Sequence, residues 1–285
     1  SPAAADNMGA QGKSIEPFRY TIHVLLLLVG HYGFVLLFPI DAKDTWSPYA
    51  STCVFTGALW AVVLWSSAFA YQWMDLKREA GVKFRFEKLS APPSFKKEPP
   101  FSRMVLVCLR NSAVIFFVMR VIGVHVNGVR PFYRSDQESL LRTILWTVVH
   151  FAIADIFFYS GHLLMHRSRW LFRYTHATHH SSCALRALSG YYMDTIDYVL
   201  EHLPVIVSFM LFPECGPAWV VAIAVGTWNL MATHSGWDLP FGPDPREHFI
   251  HHVRHHCNYG IFLDRPMGTY VAPDSFLRRG TADGE

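Results

Sequence analysis

Apolar residues gather in long unbroken runs instead of alternating with polar ones. Residues 20–40 form a run of 21 without Asp, Glu, Lys or Arg, and residues 51–74 a run of 24. Each exceeds the ~20 residues a helix needs to cross ~30 Å of hydrocarbon, so each predicts a transmembrane helix. Residues 104–126 make a third candidate that carries Arg110 and Arg120. Arg110 is expected to snorkel to one interface and Arg120 to face protein. Residues 143–160 make a fourth, with His150 and Asp155 inside it, an ionisable pair that suggests a site. Two more apolar stretches, 203–212 and 218–233, are joined by Pro213-Glu214-Cys215-Gly216-Pro217. At ~1.5 Å per residue they reach only ~15 Å and ~24 Å, which predicts a short hairpin that dips into the membrane and returns. The expected fold is an all-α integral membrane protein of about four transmembrane helices plus this short membrane hairpin.

Basic residues orient these runs. Lys77, Arg78, Lys83, Arg85, Lys88, Lys96, Lys97 and Arg103 lie between the second and third, whereas the first link holds only Lys43 beside Asp41 and Asp44. The positive-inside rule puts the basic segment in the cytosol. Everything after the fourth helix then faces the cytosol too. The Pro-rich stretch near Pro92 to Pro100 reads as a cytosolic linker.

Composition agrees. Of the 285 residues, 51% are hydrophobic and only 16% charged, against roughly 25% charge in a soluble domain. The mean hydropathy of +0.19 is that of a part-membrane, part-aqueous chain. High aromatic content excludes disorder over most of the length. A net charge of +3 gives no polybasic signal for nucleic acid. The chain begins at Ser1, as a fragment or a processed product would, and residues 1–18 resemble a loose tail without the basic start of a secretory signal. Cys53, Cys108, Cys183, Cys215 and Cys257 are odd in number and lack CxxC spacing, so buried free thiols are expected.

The chemistry lies in the histidines. Twelve of the sixteen fall between His162 and His256. His162 and His166 form HxxxH, and His176, His179 and His180 form HxxHH. His248, His251, His252, His255 and His256 contain HxxHH twice in overlap, and His234 stands alone before Ser235 and Gly236. On a helix, residues three or four apart share a face with Cβ atoms ~5–6 Å apart, close enough for two imidazoles to grip one metal ion. HxxHH offers two such pairs that share a histidine. Nine or more ligands exceed what one metal can use, so two metals are expected. Imidazole suits zinc, copper, iron or nickel, and zinc can occupy such sites in purified protein because it binds nitrogen more tightly than Fe(II). His23, His31 and His125 each stand alone in an apolar stretch and read as interface or packing residues.

At these boxes the chain strongly resembles the fatty acid hydroxylase / sterol desaturase superfamily of membrane di-iron enzymes. The likeness runs from Asp155-Ile-Phe-Phe-Tyr159 and the first box, through Trp170 to His180, to His234-Ser-Gly-Trp237-Asp238-Leu-Pro240 and Cys257-Asn-Tyr-Gly260. The resemblance selects His248, His251 and His252 as ligands of the last box and leaves His255 and His256 as neighbours. The implied ligand set is His162, His166, His176, His179, His180, His234, His248, His251 and His252. Leu163 stands where the family often has Arg, and Asp194 where it has the His of a His-Pro-acidic element. The implied division is a tail (1–18), the first three spans with a basic linker near 75–103 (19–142), a catalytic domain (143–270) and a second tail (271–285).

The resemblance also implies an activity. Two irons held by neutral imidazoles would reduce O2 and hydroxylate or desaturate a C–H bond of a sterol or fatty-acyl lipid drawn from the bilayer. Electrons would come from a separate donor such as cytochrome b5 and its reductase, and the site would face the cytosol from the endoplasmic reticulum membrane. Asp155, two turns before His162, is expected to orient a ligand through its second ring nitrogen. Arg167, Arg169 and Arg173 are expected at lipid headgroups. The rival classes are a histidine-rich membrane metal-binding or transport protein and a catalytically dead lipid-binding relative.

Overall fold

The structure, a computed structural model, describes residues 20–37, 48–91, 98–126, 139–212 and 216–273. The two tails up to residue 19 and from 274 lie outside this set. So do the first link with Lys43, the Pro-rich stretch 92–97 with Lys96 and Lys97, the turn 213–215 with Cys215, and the side chains of Cys53, Arg120 and His125.

Among the described residues, seven helices of ten or more residues carry the fold: α1 (Thr21–Leu37), α2 (Pro48–Glu79), α3 (Phe101–Val126), α4 (Leu140–Arg167), α5 (Thr195–Leu211), α6 (Gly216–Thr233) and α7 (Pro245–Arg254). The only β-type pairing among these residues is an isolated bridge, Lys88 to Trp237. The all-helical class follows from the long apolar runs, which satisfy every backbone group within the segment. By length and composition α4 can cross a membrane, and α1 is a shorter apolar helix.

α6 is the central post. It packs against α1, α2 and α4, and most of its side chains are buried. Gly30 permits the α1 contact, since a Cβ there would lie 2.7 Å from Val221 Cγ2. Leu64, Met104, Tyr191, Tyr198, Met231 and Trp237 fill the core beside it. The lone histidines of α1 make interhelical bonds: His23 Nε2 to Asn229 at 2.6 Å and His31 Nδ1 to Thr143 at 2.9 Å. Cys108, Cys183 and Cys257 are buried free thiols.

Polar anchors tie the third helix and the linker to the rest of the fold. Arg110 is exposed and donates to the Met193 carbonyl at 3.1 Å. The linker after α2 is anchored at both ends of its undescribed part. Lys88 pairs with buried Asp75, which also accepts from Trp237 Nε1 at 2.9 Å. Glu98 accepts from Cys183 N at 2.8 Å. Buried charge requires a partner, and each of these supplies one.

Candidate metal centre

The three boxes occupy different kinds of backbone. The first lies on the last two turns of α4. The third lies on α7, which starts at an Asp244 cap with Pro245 at its first position and ends at His255 in the left-handed region (φ 64°). The second is not on an α-helix. Phe172–His176 is a π turn, closed by Ala177 N to Phe172 O at 2.7 Å, and His179–Ser181 a 3-10 turn. Such a change of winding re-aims side chains that regular helical spacing would place elsewhere.

The eight box histidines and His234 converge as two groups. His162, His166, His176, His180 and His251 form one, and His179, His234, His248 and His252 the other; within each, the ligand nitrogens lie within 4.8 Å of one another. Each HxxHH box is therefore a fork. Its first and last histidines serve one group and the middle one serves the other, with opposite assignment in the two boxes. This corrects the expectation that the first histidine is shared between two pairs.

Outward hydrogen bonds fix which nitrogen faces in. Nδ1–H donates from His162 to Tyr259 O (2.8 Å), from His251 to Cys257 O (2.7 Å), from His252 to Ser182 O (2.9 Å) and from His234 to Leu230 O (2.9 Å). His176 Nδ1–H donates to both oxygens of Asp197, at 3.1 and 3.0 Å. A neutral imidazole that donates through Nδ1 presents a lone pair at Nε2. Two of these lone pairs meet, with His162 Nε2 3.1 Å from His176 Nε2, while His252 Nε2 faces His248 Nε2 at 3.0 Å. Two lone pairs at that range need a cation between them. Burial, reinforced by neighbouring imidazoles, holds His176, His179, His180, His248, His251 and His252 well below the usual histidine range. Burial takes His234 down to about 4. Protons are thus poor candidates for that cation, and the donor sets fit imidazole-binding metal ions.

Asp155 does not reach a ligand ring. Its carboxylate accepts from Ile261 N, Phe262 N and Leu263 N at 2.7, 2.9 and 3.0 Å. Asp264 does the same for Tyr259 N and Gly260 N. Asp155 thus acts on His162 only through the loop whose Tyr259 carbonyl binds that ring. Gly260 makes the approach possible, because a Cβ there would lie 2.8 Å from Asp155 Oδ1. His255 packs its ring 4.6 Å from that of His180 and 5.6 Å from that of Phe172. His256 is exposed.

Sequence reasoning missed Asp197 and Glu201. They stand one turn apart on α5, both buried, with Glu201 Oε1 3.7 Å from His176 Nδ1. Their signal was a carboxylate pair at i, i+4 opening an apolar helix.

Residues 147–269 match the model of the fatty acid hydroxylase family. Cholesterol 25-hydroxylase of Rattus norvegicus is 26% identical over 202 residues, 64% of this chain and 67% of that protein. The Homo sapiens protein of the same name is 26% identical over 61% of this chain and 71% of its own length. Delta(7)-sterol-C5(6)-desaturase of Nicotiana tabacum is 26% identical over 50% of this chain and 55% of its own. The chain thus spans about two thirds of the cholesterol 25-hydroxylases it matches and about half of the plant protein. No solved structure matches it.

Proposed function

We propose, because residues 147–269 match the fatty acid hydroxylase family, that this chain is a membrane-bound di-iron oxidoreductase that uses O2 to hydroxylate or desaturate a sterol or fatty-acyl lipid. At the level of the family, this is lipid hydroxylase or desaturase chemistry. The observation that carries the finer reading is the division of nine histidines into a set of five and a set of four. The five would hold one iron and the four the other. Such a pair, when bound, supplies O2 reduction and oxidation of an unactivated C–H bond.

The chain's own residues do the rest. Tyr259, Cys257, Ser182 and Leu230 carbonyls and the Asp197 carboxylate hold the Nδ1 protons outward and the Nε2 lone pairs inward. Burial keeps bulk water from competing for the ligand nitrogens. In this reading the electrons would come from a separate donor such as cytochrome b5 and its reductase.

We read α1 to α4 as four spans and α5 with α6 as the returning hairpin. The basic segment after α2 then puts the boxes at the cytosolic face, in the endoplasmic reticulum membrane. The domain division at 19–142 and 143–270 follows the same reading. The test is O2 uptake by the iron-loaded full chain with sterol and fatty-acyl substrates, with product mass spectrometry. The expected product carries one added oxygen atom or lacks two hydrogens. Stoichiometric iron without substrate-dependent O2 uptake would favour a metal-binding or transport protein.

A further inference from the structure

We propose that the loop 260–267 is seated in the bilayer against α4, as an apolar lip beside the five-histidine group. The inference rests on α4 being a membrane helix and not on the oxygenase reading.

Asp155 lies 12 residues before Arg167, the last residue of α4, so roughly 18 Å back along the axis. Its neighbours Ile156 and Phe157 are 51% and 46% exposed. This part of α4 therefore presents an apolar face to its surroundings, and the loop lies on the helix here. Five consecutive backbone N–H groups, from Tyr259 to Leu263, are all taken by carboxylates: two by Asp264 and three by Asp155. Both carboxylates are 3% exposed. An exposed loop in water has no need of this arrangement, because solvent satisfies its donors. In hydrocarbon each unsatisfied donor costs several kcal/mol, so the chain must supply the acceptors itself.

The side chains point to the same phase. Ile261 is 59% exposed, and Phe262 and Met267 are each 58% exposed, while the backbone between them is satisfied from inside. Arg265 in the same loop is exposed, with its guanidinium 3.9 Å from the Tyr270 ring centroid, and Arg167 is exposed at the end of α4. Apolar side chains with flanking arginines fit acyl chains below and anionic headgroups above. Continuity with the apolar face of α4 makes lipid the occupant rather than a second protein. Tyr259, at the root of the loop, accepts from His162 Nδ1. The lip thus brings the apolar phase to within three residues of the backbone that fixes a box histidine.

The experiment places p-benzoylphenylalanine at Phe262 or, separately, at Met267 in the full chain. Each variant is reconstituted in phosphatidylcholine vesicles, illuminated and read by mass spectrometry. Phe157→p-benzoylphenylalanine on α4 is the reference. Phospholipid adducts at 262 and 267, in yields within about threefold of that at 157, are expected if all three share one hydrocarbon environment. A lipid adduct at 157 with none at 262 and 267 overturns the proposal, as does cross-linking of the loop to protein. Absence of lipid adducts at all three positions overturns it together with the membrane reading of α4. None of these readouts depends on metal or turnover.

Discussion

Replacing Asp197 by Asn tests whether the outer carboxylate sets the grip of the five-histidine group. Asp197 accepts from His176 Nδ1–H with both oxygens, at 3.1 and 3.0 Å, and neither side chain has any exposed surface. Asn keeps the shape and one acceptor but loses the charge. A hydrogen bond to a charged group contributes about 1.5–3 kcal/mol against about 0.5–1.5 for a neutral one, so the difference is about 1–1.5 kcal/mol. That corresponds to about a tenfold loss in metal affinity. Outer partners of metal-bound histidines generally contribute about 10–100-fold. Glu201 Oε1, 3.7 Å from the same nitrogen, can take over part of the role. The double variant Asp197→Asn/Glu201→Gln should therefore approach the upper end, about a hundredfold. The assay is metal retention against a competing chelator, read as the chelator concentration that removes half the metal. Stability of the metal-free protein should move the other way or not at all, because two buried carboxylates side by side are costly. A midpoint within about twofold of the parent in both variants would refute the reasoning. So would a parallel loss of metal-free stability, which would mark a merely structural role.

Two further outcomes follow from the site. His176, His179, His180, His248, His251 and His252 are held well below the ordinary histidine value of 6.5, so below pH 6.5 the unfolded chain binds more protons than the folded one. Stability of the metal-free protein should fall as pH drops from 6.5, by up to about 1.4 kcal/mol per pH unit for each histidine. Chemical denaturation between pH 7.5 and 5.5 checks this, and a flat profile contradicts it. His179→Ala removes one of four ligands, whereas His166→Ala removes one of five. Metal content per folded chain should therefore fall by about half in the first and less in the second, as measured by plasma mass spectrometry; equal losses would argue against two separate groups.

The sequence by itself determined the class of the fold and the inventory of the site. Unbroken apolar runs admit only helices where backbone groups must be satisfied within the segment, and α4 contains the expected 143–160 but runs on to Arg167. The histidine boxes were visible because ligand pairs on one element must recur at i+3 or i+4. All nine residues chosen from the boxes and His234 come together. What local spacing cannot encode is partition. HxxHH is silent on which histidine goes to which group, and that was decided by the π turn at Phe172–His176 and by the packing of α7 against α6. The role of Asp155 was misread for the same reason. Spacing put it on the face of His162, but the loop 259–263, more than a hundred residues later, took its oxygens first. Asp197 was overlooked because its partner, His176, is 21 residues away across a turn of irregular winding. Local periodicity fixes what lies on one element. Which nitrogen meets which oxygen between elements is a property of packing, and only the tertiary structure decided it.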